Sequence, residues 1–487
     1  MFFPQMFFGQ SFSGQRPTGQ TEAFPRLEPD PKALEFFSRG TGNTGYSWTD
    51  LAEISLWASG ANIDPYLGQI RAAAQAIGAA PDFPAGERDR AAFILDYMHK
   101  NLLRSYSLTQ SEINTLLSTG RFNCVSSAVL YMVLCKSVGL EVSGVITREH
   151  AFAIVRIGGE NIDVETTNRY GFDPGNRMEF HDAFGRLTGF TYVPAQNYRD
   201  RQTITPIELI SIIFSNRITE LERRNRFSEA IPLALDRAAL LSGAAFASPG
   251  NETSAYILEP SRQYLLDRLF NYGALLLNSG RDEDCLRWIA SAALLYPDEN
   301  HWNELTLAAI NNRIARLFMS GQLSDARNFL DAHGSSLNQA DYAQLDSMIV
   351  DAQLLKSANG IQSATDGDNV AAAIYEARAN GRIGRERASE LLNYAIQKTA
   401  AILSADRDWL AAINYIENAI TRFGSNRELE QALQNNRNNR ATEYHNRFAT
   451  AWNRRNFDEA RRILDEGLAE FPNDRQLLAN REIINRN

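Results

Sequence analysis

Cys124, His150, Asp163 and Glu165 are the residues whose types, order and spacing suit covalent chemistry. The stretch RFNCVSSAVLYMVLCKSVGL, residues 121–140, passes from polar residues into an almost wholly apolar run. Cys124 stands at its edge, after Asn123 and before two serines. A thiol attacks carbonyls as thiolate, so a nucleophilic cysteine needs its pKa lowered. The start of a helix does part of this, because its unpaired N–H groups and macrodipole favour an anion by about 0.3–1 kcal/mol at exposed sites. The same N–H groups are placed to form an oxyanion hole. Cys135, about three turns further into the run, has neither advantage.

A nucleophilic thiol also needs a base. His150 and His181 are the histidines that follow Cys124 most closely. His150 opens HAFAIV, which reads as a strand, and from there a ring can point back to the start of a packed helix. A third group must fix the imidazole tautomer and stabilise its protonated form. The next strand, ENIDVETT, supplies Asp163 and Glu165, which lie two apart, project to the same face and are both eligible. Plain roles compete with these. A lone cysteine is usually an inert, partly buried residue, His181 in MEFHDAFG suits a helix start or the surface, and Arg148 with Glu149 suits a solvated pair. Asn123 suits a helix cap.

The elements that must position these residues are legible as a change of period. Helical patterns cover SWTDLAEISLWASG (47–60), DPYLGQIRAAAQAIG (64–78, with Asp64 as N-cap and Pro65 at the first helical position) and ERDRAAFILDYMHKNLL (87–103). A further one, TQSEINTLLSTG (109–120), opens with the capping-box pattern Thr109-x-x-Glu112, and the cysteine helix then runs to Gly139. Residues 141–167 are rich in Val, Ile, Thr and Phe and break at Gly158-Gly159, which reads as strands with a two-residue hairpin turn. Residues 46–200 are therefore expected to form an α+β domain.

Cysteine at the start of a buried helix, then GLEVSGV, HAFAIVRI and IDVETT, together resemble the transglutaminase-like core of the papain-like cysteine superfamily over roughly 88–180. The resemblance implies a Cys-His-Asp triad with Cys124 as nucleophile and His150 as general base. Ungapped counting sets Glu165 near the family's aspartate, with Thr167 on its threonine; Asp163 has the expected residue type but lies two positions early. The glycine-rich lead and following tryptophan common in eukaryotic transglutaminases have no counterpart beside Cys124, so calcium-dependent cross-linking is not implied.

From residue 206 to the end only helical patterns occur, in antiparallel pairs. RLFNYGALLLNSGRDEDCLRWIASAALLYP, ending at Pro297, sets Tyr272-Gly273, Cys285 and Ala292 where a tetratricopeptide unit has Leu-Gly, Ala and Ala. Ala460, Gly467 and Pro472 repeat the second half, and weaker copies centre on Ala230, Ala326, Ala412 and Ala419. These units resemble tetratricopeptide repeats, an all-α solenoid expected over 206–487 that presents a concave face to a protein or peptide partner or to subunits of a larger assembly. Residues 1–45, rich in Gln, Gly, Ser, Pro and Phe, show no period and are expected to form a flexible or loosely docked lead-in.

Composition bounds the function. The chain of 487 residues carries a net charge of −9, which excludes a global field suited to nucleic acid or an anionic membrane. Three cysteines without a CxxC pair exclude a disulfide framework and a zinc motif, and no apolar run reaches transmembrane length. Arginine greatly outnumbers lysine, which is confined to Lys32, Lys100, Lys136, Lys356 and Lys398. The start, MFFPQMFFGQSFSGQ, lacks a basic n-region and a long apolar core, a poor signal peptide that leaves the compartment open between the cytoplasm and, if a signal was truncated, the cell envelope or periplasm. The expected function is hydrolysis or acyl transfer at amide bonds of a protein or peptide through a Cys124 thioester, with no cofactor or metal. The alternative is a non-catalytic scaffold in which the cysteine fold is a docking module.

Overall fold

The computed structural model describes residues 24–41, 45–147, 150–175, 201–243, 255–297, 299–405 and 407–485. The chain divides into two compact units, 1–305 and 306–487.

The first unit is organised around helix α6 (Cys124–Ser137), in which every residue from Val125 to Cys135 is buried. A helix apolar all round must be enclosed on all sides. The helices that enclose it are α2 (Trp48–Ala58), α3 (Ile63–Gly78), α4 (Glu87–Asn101), α5 (Ile113–Thr119) and α7 (Pro206–Arg223). The remaining cover is a four-stranded antiparallel sheet. Its strands are β3 (Glu141–Ile146), β4 (Ala151–Ile157), β5 (Glu160–Val164) and β6 (Gln202–Ile204), in the order β5-β4-β3-β6. Ala151 to Val155 of the interior strand β4 are buried without alternation, as expected when both faces of a strand are covered. The hairpin turn between β4 and β5 falls at Gly158 and Gly159, with φ 59° and 91°, a pair of left-handed positions that glycine adopts freely. A second, minimal sheet pairs β1 (Ser105–Tyr106) in parallel with β2 (Arg121–Phe122).

Two expected helix starts lie elsewhere. Helix α3 begins at Ile63 with Asn62 as its N-cap residue, just ahead of Asp64. Helix α5 begins at Ile113 with Glu112 as N-cap residue, and Thr109 does not cap it. The Ile113 N–H donates instead to Ser59 Oγ at the end of α2, 2.9 Å away, so a tertiary partner replaces the local box.

The boundary expected near residue 206 falls inside the first unit. The reason is the apolar face of α7, whose Leu209, Ile210, Ile213 and Phe214 are buried and which packs on α2, α6 and β3. Helices α8 (Phe227–Ser242), α9 (Ala255–Asn278) and α10 (Asp282–Leu295) continue as successive packed neighbours. Gly273 of α9 leaves no room for a side chain, since a Cβ there would come within 2.9 Å of Leu305 Cδ1.

Part of the lead-in, residues 24–41, is among the described residues. Residues 24–30 run without regular structure into helix α1 (Pro31–Gly40), which packs on α8 and buries Ala33 and Phe36. Arg26 Nη2 donates to both oxygens of buried Asp236, at 2.7 and 2.6 Å, and the Asp30 N–H adds a third bond at 2.8 Å. Tyr296 Oη donates to the Leu27 carbonyl at 2.9 Å, and the Phe24 ring meets Trp288 edge-on at 5.8 Å. The anchoring residues are far apart in sequence, which is why local period did not reveal this segment.

In the second unit the described chain is helical throughout. It continues through the remainder of α11 (Glu299–Met319) into α12 (Leu323–His333), α13 (Gln339–Asn359), α14 (Ala364–Ala379) and α15 (Arg385–Ser404). The last four helices are α16 (Trp409–Phe423), α17 (Arg427–Asn453), α18 (Phe457–Glu470) and α19 (Arg475–Asn485). From α12 on, consecutive helices pack side by side in the manner of a helical solenoid, with one continuous core from Val350 to Leu433. Ala326, Ala412, Ala419, Ala460 and Gly467 are all buried. No helix among the described residues is long and apolar enough to cross a membrane.

Asp236 is left buried without its cation when Arg26 is removed. Arg26→Ala is expected to cost about 1–3 kcal/mol, the usual loss for a buried acceptor deprived of a charged donor. Urea unfolding of the full chain measures it, and an unchanged midpoint would show that the segment is not held by this pair.

Candidate functional site

Cys124 is the first residue of α6, half-buried where the rest of the helix is enclosed. Asn123 caps the helix: its Oδ1 accepts from the N–H groups of Val125 and Ser126, both at 3.0 Å, and its carbonyl accepts from Ser127 at 3.1 Å. Ser126 Oγ returns the bond by accepting from the Asn123 N–H at 3.0 Å. The cap therefore consumes the first-turn donors that the sequence offered for an oxyanion hole. Among the described residues, the Cys124 N–H alone in that turn has no acceptor.

His150 lies just before β4, with its side chain only 9% exposed. Nε2 contacts Glu165 Oε2 at 2.5 Å, and the Cys124 thiol is among the groups that act on the ring. Burial alone would lower the pKa of the ring. The charge of Glu165 and the hydrogen bonds to Cys124 and Glu165 overcome it and raise the pKa to about 10. The pair with Glu165 therefore favours the protonated imidazole. The ring also stacks on Phe152, with centroids 6.0 Å apart.

Glu165 follows the last residue of β5 and is fully enclosed. Its Oε1 accepts from the Thr167 N–H at 3.2 Å and Thr167 Oγ1 at 2.6 Å, so both carboxylate oxygens are engaged. The backbone that carries it is pinned, with Glu165 N–H donating to the Gly171 carbonyl at 2.8 Å. A Cβ on Gly171 would lie 2.0 Å from the Glu165 carbonyl oxygen, so no other residue fits there without displacing the chain. Thr166 ties this loop to the helix by a 2.8 Å bond between its Oγ1 and Ser127 Oγ.

The structure thus brings together Cys124, His150 and Glu165. Asp163, the other acid eligible by sequence, turns to Arg201, which grips its carboxylate with both terminal nitrogens, one at 2.8 Å. That guanidinium lies over the Phe152 ring, 5.1 Å from its centroid, so Asp163 supports the ring on which His150 stacks. His181, Arg148 and Glu149 lie outside the described residues.

Tyr106 was not identifiable from sequence. Its Oη is buried with no hydrogen-bond partner among the described residues. Burial raises its pKa, and the negative charges of Cys124 and Glu165 nearby raise it further, so the phenol keeps its proton. A buried unpaired donor costs about 1–3 kcal/mol, and this one lies within electrostatic range of Cys124 and Glu165. Parallel pairing of Tyr106 with Phe122, two residues before Cys124, brings it there, and no local pattern announces such a pairing.

Comparison of the sequence with protein-family models and with curated proteins gives no match.

The raised His150 pKa has a defined consequence for stability. A group whose folded-state pKa exceeds its unfolded value near 6.5 contributes fully below that pH and loses its contribution as pH rises through about 10. The stability difference between the wild type and Glu165→Gln is therefore expected to be largest below pH ~6.5 and to narrow toward pH ~10. Urea titrations across that range measure it, and a gap independent of pH would sever Glu165 from His150. Gly171→Ala is expected to act on the same contact by pushing Glu165 away. Titration of the His150 ring protons by NMR should then show a lower pKa, whereas an unchanged titration would show that the loop absorbs the methyl group.

Proposed function

We propose that the protein is a cysteine amidase or acyltransferase of the transglutaminase-like type, with Cys124 as nucleophile, His150 as acid and base and Glu165 as the third member. The observation that carries this reading is the placement of one imidazole between a helix-start thiol and a fully buried carboxylate. Cys124 Sγ attacks the amide carbon, and the oxyanion that forms takes hydrogen bonds from the Cys124 N–H and Tyr106 Oη. His150 delivers its proton to the departing nitrogen, leaving a thioester. Water or an amine then attacks that carbonyl, with His150 removing the proton. Glu165 holds the ring in one orientation throughout. The helical hairpins from α7 onward, with small residues at their crossings, act as a tetratricopeptide-like array that recruits a protein or peptide.

One observation favours the scaffold reading as a second possibility. Residues 24–30 already lie as an irregular segment on α8 and α10 through Asp236, Trp288 and Tyr296, so this helical face accepts peptide.

Alkylation of each cysteine against pH separates the two. Cys135 and Cys285 are internal controls, since burial pushes the Cys135 thiol far up and the Cys285 thiol up to about 12. Cys124 should react at least about tenfold faster than either below pH ~7, and His150→Ala should abolish the advantage. Equal reactivity of the three thiols would leave the scaffold. Tyr106→Phe should spare alkylation, which builds no oxyanion, and slow thioester formation from an amide about 10²–10³-fold. A variant that alkylates and acylates normally would remove Tyr106 from the site.

A further inference from the structure

Pairing of β5 with β4 ends at Val164, so the ladder does not hold Glu165, and its place depends on what grips residues 165–173. Helix α4 grips them along one face. Arg88, Asp96 and His99 follow one another at spacings of eight and three (96 − 88 and 99 − 96), which set them on one side of the helix. Arg88 pairs with Asp173 and lies over the Phe172 ring, 5.5 Å from its centroid. Asp96 Oδ1 accepts from Arg169 Nε at 2.6 Å. His99 Nε2 stands 3.1 Å from the carbonyl of Thr166, the residue next to Glu165.

The two ion pairs lie within reach of solvent, where such pairs contribute little. His99 differs. Thr166 is fully buried, and no other donor reaches its carbonyl among the described residues. The His99 ring also meets Phe122 edge-on with centroids 6.2 Å apart, and Phe122 meets Tyr106 at 5.9 Å. One imidazole therefore touches both the loop that carries the acid and the strand that leads into Cys124. Burial lowers its pKa, and Arg169 adds to this; the bond to Thr166 and the charges of Asp96 and Glu165 do not offset it. Near neutral pH the ring is neutral and has a single N–H. A carbonyl can only accept, so that proton sits on Nε2.

We propose that His99 is a positioning residue of the Cys124 centre: by donating from Nε2 to the Thr166 carbonyl it fixes the backbone beside Glu165, and with it the carboxylate that orients His150. This inference rests on the reading of Cys124, His150 and Glu165 as one reactive site. No bond forms or breaks at His99, and its proton stays on Nε2. Its part is to keep Glu165 from drifting where the strand no longer holds the chain.

Two substitutions in the full chain separate positioning from packing. His99→Gln keeps a side-chain N–H near the place of Nε2, and His99→Phe keeps a ring without the donor. The readouts are NMR titration of the His150 ring and the alkylation rate of Cys124 against pH, with Cys135 and Cys285 as controls. In His99→Phe the His150 midpoint is expected to fall by about one pH unit. Cys124 alkylation at pH ~6 should slow at least about threefold in that variant, while His99→Gln stays near wild type in both readouts. Asp96→Asn, which loosens only the solvent-exposed clasp, should leave both unchanged. If His99→Phe loses stability yet His150 and Cys124 behave as in the wild type, His99 only packs and the inference falls while the cysteine site stands. It falls equally if His99→Gln and His99→Phe shift the titration alike. Should His99→Phe fail to fold, His99→Asn, whose amide is one methylene shorter than that of Gln, carries the same expectation. If Cys124 of the wild type alkylates no faster than Cys135 and Cys285, the reading of the site and the inference fall together.

Discussion

Enclosure of α6 is the constraint from which the rest of the first unit follows. From Val125 to Cys135 the helix has no polar face to give to solvent, so helices close on its sides and β3 and β4 cover what remains. Its N-terminus is where the enclosure ends, and there the half-buried thiol of Cys124 stands at the limit of the core. The same burial draws α7 into the first unit, because its Ile210, Ile213 and Phe214 need a partner and α6, with α2 and β3, provides one. A thiol at that limit is accessible while the elements around it are fixed by packing, the combination a nucleophile requires.

Burying a carboxylate and an imidazole at this place is costly unless every acceptor is filled. Glu165 meets the condition with His150 on one oxygen and the Thr167 N–H and hydroxyl on the other. Gly171 is what allows the loop to fold tightly enough for this, since its missing side chain leaves room for the Glu165 carbonyl. Asp163 keeps its charge compensated separately by Arg201, and the two acids do not compete for one cation. The pairs are segregated although the acids are two residues apart, because β5 ends at Val164 and Glu165 already belongs to the loop.

That strand end explains where reading from sequence succeeded and where it stopped. The chemistry of Asn123 as a cap, Gly158-Gly159 as a hairpin turn and Cys124 as a helix start is local, and neighbouring residues reveal it. The choice between Asp163 and Glu165 depends on where β5 stops pairing with β4, which the loop through Gly171 and Phe172 helps decide. Helix α1 was hidden because its anchor, Asp236, lies on α8. Thr109 and Glu112 spelled a capping box that Ser59 overrode. In each case a tertiary partner outcompeted a local signal, as expected when local preferences amount to only about a kcal/mol.

In the proposed reaction the helix cap and the oxyanion draw on the same donors, which gives the small sheet a role. A helix start offers a few free N–H groups, and capping α6 uses those of Val125 and Ser126. One remains, on Cys124 itself, while stabilising a tetrahedral oxyanion is best served by two. The second donor has to come from another element at a fixed distance. Strands β1 and β2, only two residues each, are too short to contribute much stability, yet their parallel register sets Tyr106 beside Phe122 and hence near the thiol. A phenol supplied this way brings a donor without a charge, and its burial keeps the proton in place. In the proposed reaction, Asn123 therefore fixes the nucleophile and Tyr106 replaces the donors that fixing it consumed.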